Sequence, residues 1–140
     1  MPKTLDDWVK EFYPIEAHNV KGSNKELLEH SLKKWKGATK ENTEEYNCTY
    51  SEYCIEARGS KPNTNHLVLG FGYNTCSLCQ VHKHTTFGHT EYDCNKCIIA
   101  ISGNPPCSVR GSAYSKSADD PSPMIALLEK LLQEINENQP

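Results

Sequence analysis

No run of apolar residues in this chain approaches the ~18 needed to cross a bilayer. The opening stretch Met1-Pro2-Lys3-Thr4-Leu5-Asp6-Asp7-Trp8 also lacks the apolar core of a secretory signal. Both absences point to the cytoplasm, where thiols stay reduced. A basic excess is missing as well. The formal charge is −3, and the lysines are scattered apart from Lys33, Lys34 and Lys36, whereas nucleic-acid binders present a basic face to phosphates. Apolar residues make up only 36% of the 140, so the expected core is modest and a metal staple would matter. A structural zinc contributes on the order of 10 kcal/mol to the folding of a small module. Finally, Gly70-Phe71-Gly72 has no third glycine, so dinucleotide and phosphate-loop motifs are absent.

Cysteine is what the chain has in plenty. There are seven, an odd number that fits a metal site better than a full disulfide set. Four form two knuckles, Cys76-Ser77-Leu78-Cys79 and Cys94-Asn95-Lys96-Cys97, with fourteen residues between them. Related zinc patterns leave about 15–20 residues there, so this spacing sits at the short edge. Four thiolates within reach of one tetrahedral ion suit zinc, which is soft enough for sulfur and makes no redox demand. Cys76, Cys79, Cys94 and Cys97 are therefore the candidate zinc ligands, with Cys107 as the alternate. His82, His84 and His89 fall between the knuckles and are expected to be solvated loop histidines. Cys48 and Cys54 match no ligand spacing and are expected to be buried, inert thiols.

An enzyme is not indicated. Zinc deaminases need His-x-Glu ahead of Pro-Cys-x-x-Cys, and the nearest match, His89-Thr90-Glu91, lies inside the loop without the proline. No local context selects a nucleophilic Cys/His pair. The expected protein is non-catalytic.

The pattern predicts a small α+β domain over residues 1–140. Residues 1–45 form a helical part, 46–111 a zinc-knuckle β part and 122–137 a C-terminal helix. Thr4 and Ser23 are candidate helix caps, Ser23-Asn24-Lys25-Glu26 reads as a capping box, and Gly37 is placed to end the second helix. Trp8 and Trp35 are the expected core anchors. Tyr53–Ala57 and His66–Leu69 suggest a hairpin around a long turn, and Ile98–Ile101 fits a strand or a short helix. Ser112 to Pro121 is small and polar and is expected to be an exposed linker. Ser122-Pro123 starts an amphipathic helix whose stripe of Met124, Ile125, Leu127, Leu128, Leu131, Leu132 and Ile135 should pack on the domain.

The order Glu11-Phe12-Tyr13-Pro14, His30 to Gly37, the two knuckles, Cys107 and Tyr114 resembles small cysteine-rich proteins of unassigned function encoded by bacteriophages and prophages. Their usual run is C-A-L-C, then C-x-x-C-P, then a further cysteine. Here Ser77 replaces the alanine and Ile98 the proline. The resemblance implies the cytoplasm of an infected bacterium and a role against host defence. It also favours Cys107 as a ligand.

Three functions follow as expectations. The first is a zinc-stabilised binding protein that inhibits a host anti-phage defence protein or sequesters its signalling nucleotide. Arg58, Tyr73, Phe87, Tyr92, Arg110 and Tyr114 are the available groups for a nucleotide. The second is a zinc-module nucleic-acid regulator, which the acidic balance disfavours. The third is a hydrolase using zinc or Cys/His chemistry.

Overall fold

Helix α1 (Leu5–Phe12) begins at a reciprocal cap. The Asp7 N–H donates to Thr4 Oγ1 at 3.3 Å, and the Thr4 N–H donates to Asp7 Oδ2 at 2.9 Å. Helix α2 (Asn24–Lys36) repeats the device with Ser23 and Glu26, whose carboxylate accepts from the Ser23 N–H at 2.7 Å. These details come from a computed structural model, which describes residues 3–58 and 68–138, without the side chains of Val68, Tyr73 and Asn138.

Gly37 ends α2 as expected, for a different reason than backbone handedness. Its φ is −63°, an ordinary right-handed value. A Cβ there would lie 2.6 Å from Phe12 Cγ and 2.7 Å from Trp8 Cζ2. The Trp8 indole lies directly on this backbone, and its Nε1–H donates to the Gly37 carbonyl at 2.9 Å. Trp8 and Trp35 are both core anchors, 0% and 2% exposed.

A short helix, α3 (Lys40–Glu45), leads into a three-stranded antiparallel sheet ordered β1 (Cys48–Ser51), β2 (Cys54–Ala57) and β3 (Val68–Gly70). Tyr50 pairs with Ile55, and Ile55 with Leu69. The expected hairpin is therefore present as β2–β3, and most of its turn lies outside the described residues. Both α3 and β1 lie outside the elements that the sequence pattern predicts. After the sheet come α4 (Ser77–Gln80), the hairpin β4 (Lys83–Thr86) and β5 (His89–Tyr92), α5 (Ile98–Ile101) and α6 (Ser122–Asn138). Ile98–Ile101 is thus helical, and the inter-knuckle loop is largely a β-ribbon. The architecture is α+β.

Met124, Leu128 and Leu131 on α6 are buried, and the helix packs along α2, so its apolar stripe closes the core. Phe71 sits at the centre of an aromatic cluster, 4.8 Å edge-on from Trp35 and 5.2 Å from Tyr50. Among the described residues no helix is long and apolar enough to cross a membrane.

The segment Ser112–Pro121 is not an exposed linker. Ser112 and Ser117 are buried, and the segment clamps the turn between β1 and β2. That turn places Glu52 and Tyr53 at φ 48° and 60°, a left-handed pair that normally calls for Asn-Gly. Asp119 Oδ1 accepts from the Glu52 N–H at 2.9 Å, and the Ala118 carbonyl accepts from the Tyr53 N–H at 2.9 Å. Tyr53 also stacks on Tyr114 at 4.5 Å and donates its hydroxyl to the Ser115 carbonyl. The small polar residues serve as backbone binders.

Candidate metal centre

The first knuckle is fixed from both sides. Thr75 Oγ1 donates to the Gly70 carbonyl at 2.6 Å and shapes the turn before Cys76. Cys76 caps α4, with its carbonyl accepting from the N–H groups of Cys79 and Gln80. Ser77 is fully buried, and its Oγ donates to the Leu27 carbonyl on α2 at 2.9 Å. Leu78 beside it is 2% exposed.

The β4–β5 ribbon then joins the two knuckles. The His82 N–H donates to the Cys79 carbonyl at 3.1 Å, and the Asp93 N–H to the His82 carbonyl at 3.1 Å. The chain therefore leaves the first knuckle and re-enters at the second beside its own exit. Cys94 opens a 3-10 turn, Cys97 caps α5, and buried Ile99 anchors that helix. Cys107 follows on the next loop, its carbonyl accepting from Ser112 Oγ at 3.2 Å.

All seven cysteines are free thiols. Cys79, Cys94, Cys97 and Cys107 line one narrow cleft, together with His82, Tyr92 and Asp93. Cys76, Cys79 and Cys107 line a second, against Lys34, Trp35, Phe71 and Tyr114. Cys79 and Cys107 belong to both. Cys107 therefore sits with the four knuckle cysteines, while Cys48 and Cys54 lie on the sheet. Cys48 is buried and donates its thiol to the Tyr46 carbonyl.

The thiols influence one another electrostatically. A hydrogen bond from the Cys79 thiol, helped by the Lys34 ammonium, holds Cys76 below the ordinary thiol range, and the same bond drives Cys79 upward. Burial pushes Cys97 up to about 11 and Cys107 up to about 12. Among the described residues no group of three or more His, Cys, Asp or Glu side chains stands as a ready metal cage. The donor chemistry nonetheless fits zinc, since five soft sulfurs are gathered without a disulfide. Closing a tetrahedron would require the side chains to draw inward, and such ligand ordering accompanies metal binding in small modules.

The histidines divide. His82 borders the first cleft. His84 and His89 flank Glu91 on the exposed ribbon, at 3.2 and 3.6 Å. His89-Thr90-Glu91 is thus part of a solvated charge cluster. Among the described residues, the five other than Tyr73 that were considered for a nucleotide do not assemble into one pocket. Arg58 borders a groove with Asp119 and Asp120, Phe87 stands fully exposed at the ribbon tip, and Arg110 is on an exposed loop. Tyr92 and Tyr114 border different clefts, and the Tyr73 side chain lies outside the described residues.

Lys34 is the functional candidate that sequence reasoning missed. It is 1% exposed, and its Nζ donates to the Thr75 carbonyl at 2.9 Å and to Thr75 Oγ1 at 3.3 Å. Burial pushes its ammonium below the ordinary lysine range, and the thiols of Cys76, Cys79 and Cys107 pull it back up. Its signal was positional. It stands seven residues after Leu27 and three after Ser31, on the buried face of α2.

Against protein-family models, curated proteins and solved structures, the chain finds no match.

Proposed function

We propose that Cys76, Cys79, Cys94 and Cys97 bind one Zn2+, with Cys107 as the alternate ligand, in a non-catalytic binding protein that the metal braces. The observation carrying this is the gathering of five free thiols, from three separate turns, around two clefts that share Cys79 and Cys107. A soft, all-sulfur donor set suits a closed structural site, whereas catalytic zinc keeps an open position in a mixed shell.

The partner we propose is a protein, and the phage-like resemblance points to a component of host defence. Two observations favour this over capture of a signalling nucleotide. The arginine and aromatic candidates are dispersed. In addition, Phe87, Val81, Ile101 and Val109 all expose apolar side chains on the knuckle lobe, where a protein partner could cover them.

Native mass spectrometry of protein purified without chelator tests this proposal. One zinc per chain with no further mass is expected. A metal-free folded species would remove the metal assignment, and a retained nucleotide-sized mass would replace a protein partner with ligand capture. Unimpaired activity of a defence system co-expressed with this chain would exclude that system as the target.

A further inference from the structure

Lys34 is the only buried Lys, Arg, His, Asp or Glu among the described residues. Its ammonium forms no ion pair with a carboxylate there. Its direct hydrogen-bond partners are the Thr75 carbonyl and hydroxyl. Two aromatic faces complete the cradle, with Nζ 4.8 Å from the Phe71 ring centroid and 5.6 Å from that of Trp35. All of these groups are neutral. A buried cation surrounded by neutral groups is unfavourable unless an anion stands close by.

The available anion is the thiolate set. Thr75, which holds Nζ, directly precedes Cys76, and Lys34 lines the same cleft as Cys76, Cys79 and Cys107. Four thiolates around a divalent ion leave two net negative charges in a partly buried place. Without compensation, that excess favours protonation of a ligand and makes the thiolates more nucleophilic.

We infer that Lys34 is the built-in counter-cation of the thiolate–metal centre, positioned by Thr75 and the faces of Phe71 and Trp35. The inference rests on the metal assignment proposed above. Lys34 acts through the ligands as a positioning residue and touches no substrate. Its charge retains the metal, and its grip on the Thr75 carbonyl sets the backbone that presents Cys76.

Metal affinity by chelator competition and the rate of metal release by iodoacetamide, both on Co2+-loaded protein, test the inference. Lys34→Met is expected to weaken metal binding about tenfold or more and to speed release correspondingly, while Lys34→Arg stays near the wild type. Cys79→His, which removes one negative charge from the centre, is expected to shrink the Lys34→Met effect. Unchanged affinity and release in Lys34→Met would overturn the inference, as would an effect that Cys79→His does not reduce. Should Lys34→Met fail to fold, the lysine ζ-nitrogen NMR signal of zinc-loaded wild type decides. A charged, exchange-protected ammonium is expected, and a neutral amine overturns the role. A wild type that takes up neither metal would instead sink the metal assignment itself, a result read before any variant is made.

Discussion

The hydroxyl of Ser77 donates to the main-chain carbonyl of Leu27 at 2.9 Å, across fifty residues of sequence and away from water. This bond ties the first knuckle to the opening turn of α2. Ser77→Ala should cost about 1 kcal/mol, the usual worth of a buried neutral hydrogen bond. Ser77→Val should cost more, because Ser77 is fully enclosed and the added methyl groups have no room. Urea denaturation of the metal-loaded protein reads both.

Substitution should split the cysteines into two classes. Cys76→Ser or Cys94→Ser opens the proposed metal shell, so zinc per chain should fall well below one and the melting temperature should drop sharply. Cys48→Ala should keep its zinc and lose about 1–2 kcal/mol, since it removes a small buried side chain and its bond to the Tyr46 carbonyl. Metal analysis alongside thermal melts separates the classes. Equal behaviour would refute the ligand assignment.

How much of this was legible in the sequence depends on how local each signal is. The caps at Thr4 and Ser23, both tryptophan anchors and the packing of α6 follow from residues within one or two turns of each other, and they are present. The β1–β2 hairpin was invisible because its turn is Glu52-Tyr53, residues that do not favour positive φ. Its stability comes from Ala118 and Asp119, more than sixty positions away. The Ser112–Pro121 segment misleads for the same reason. Its small polar side chains look like solvent-exposed loop, and only the tertiary fold shows that they face backbone. At the proposed metal centre the four-cysteine spacing is plain, while Lys34 is hidden among its charged neighbours Lys33 and Lys36.

Acid should weaken the fold through His30. Its Nε2–H donates to the Ile15 carbonyl at 2.6 Å, and its ring lies 5.3 Å from that of Tyr13. Nδ1 is buried and has no hydrogen-bond partner among the described residues. A second proton would go on Nδ1, where it finds no acceptor, and burial already holds the group below its ordinary value of 6.5. Because the folded value is depressed, the unfolded chain takes up the proton first. His30 therefore leaves stability intact above pH 6.5 and lowers it as the pH falls from there through the folded value. Denaturation at a series of pH values should show this decline in the wild type and a shallower one in His30→Gln. A His30 NMR titration with a midpoint above 6.5 would contradict it.

Two glycines should respond to alanine in different ways. Gly37 has an ordinary φ, but a Cβ there meets the Trp8 and Phe12 rings at under 3 Å. These rings are held in the core by aromatic contacts and the Trp8 hydrogen bond, so they cannot swing aside freely. Gly37→Ala should cost about 2–3 kcal/mol from overpacking. Gly88, in the ribbon turn, has φ +78° and nothing within 4 Å of where an alanine methyl would sit. Its cost is backbone strain alone, about 1 kcal/mol, and it falls on the ribbon tip. Gly37→Ala should thus lower the global melting temperature, while Gly88→Ala should chiefly speed amide exchange in Lys83–Tyr92. If the two variants melt alike, close approach of Trp8 is not what requires glycine at position 37.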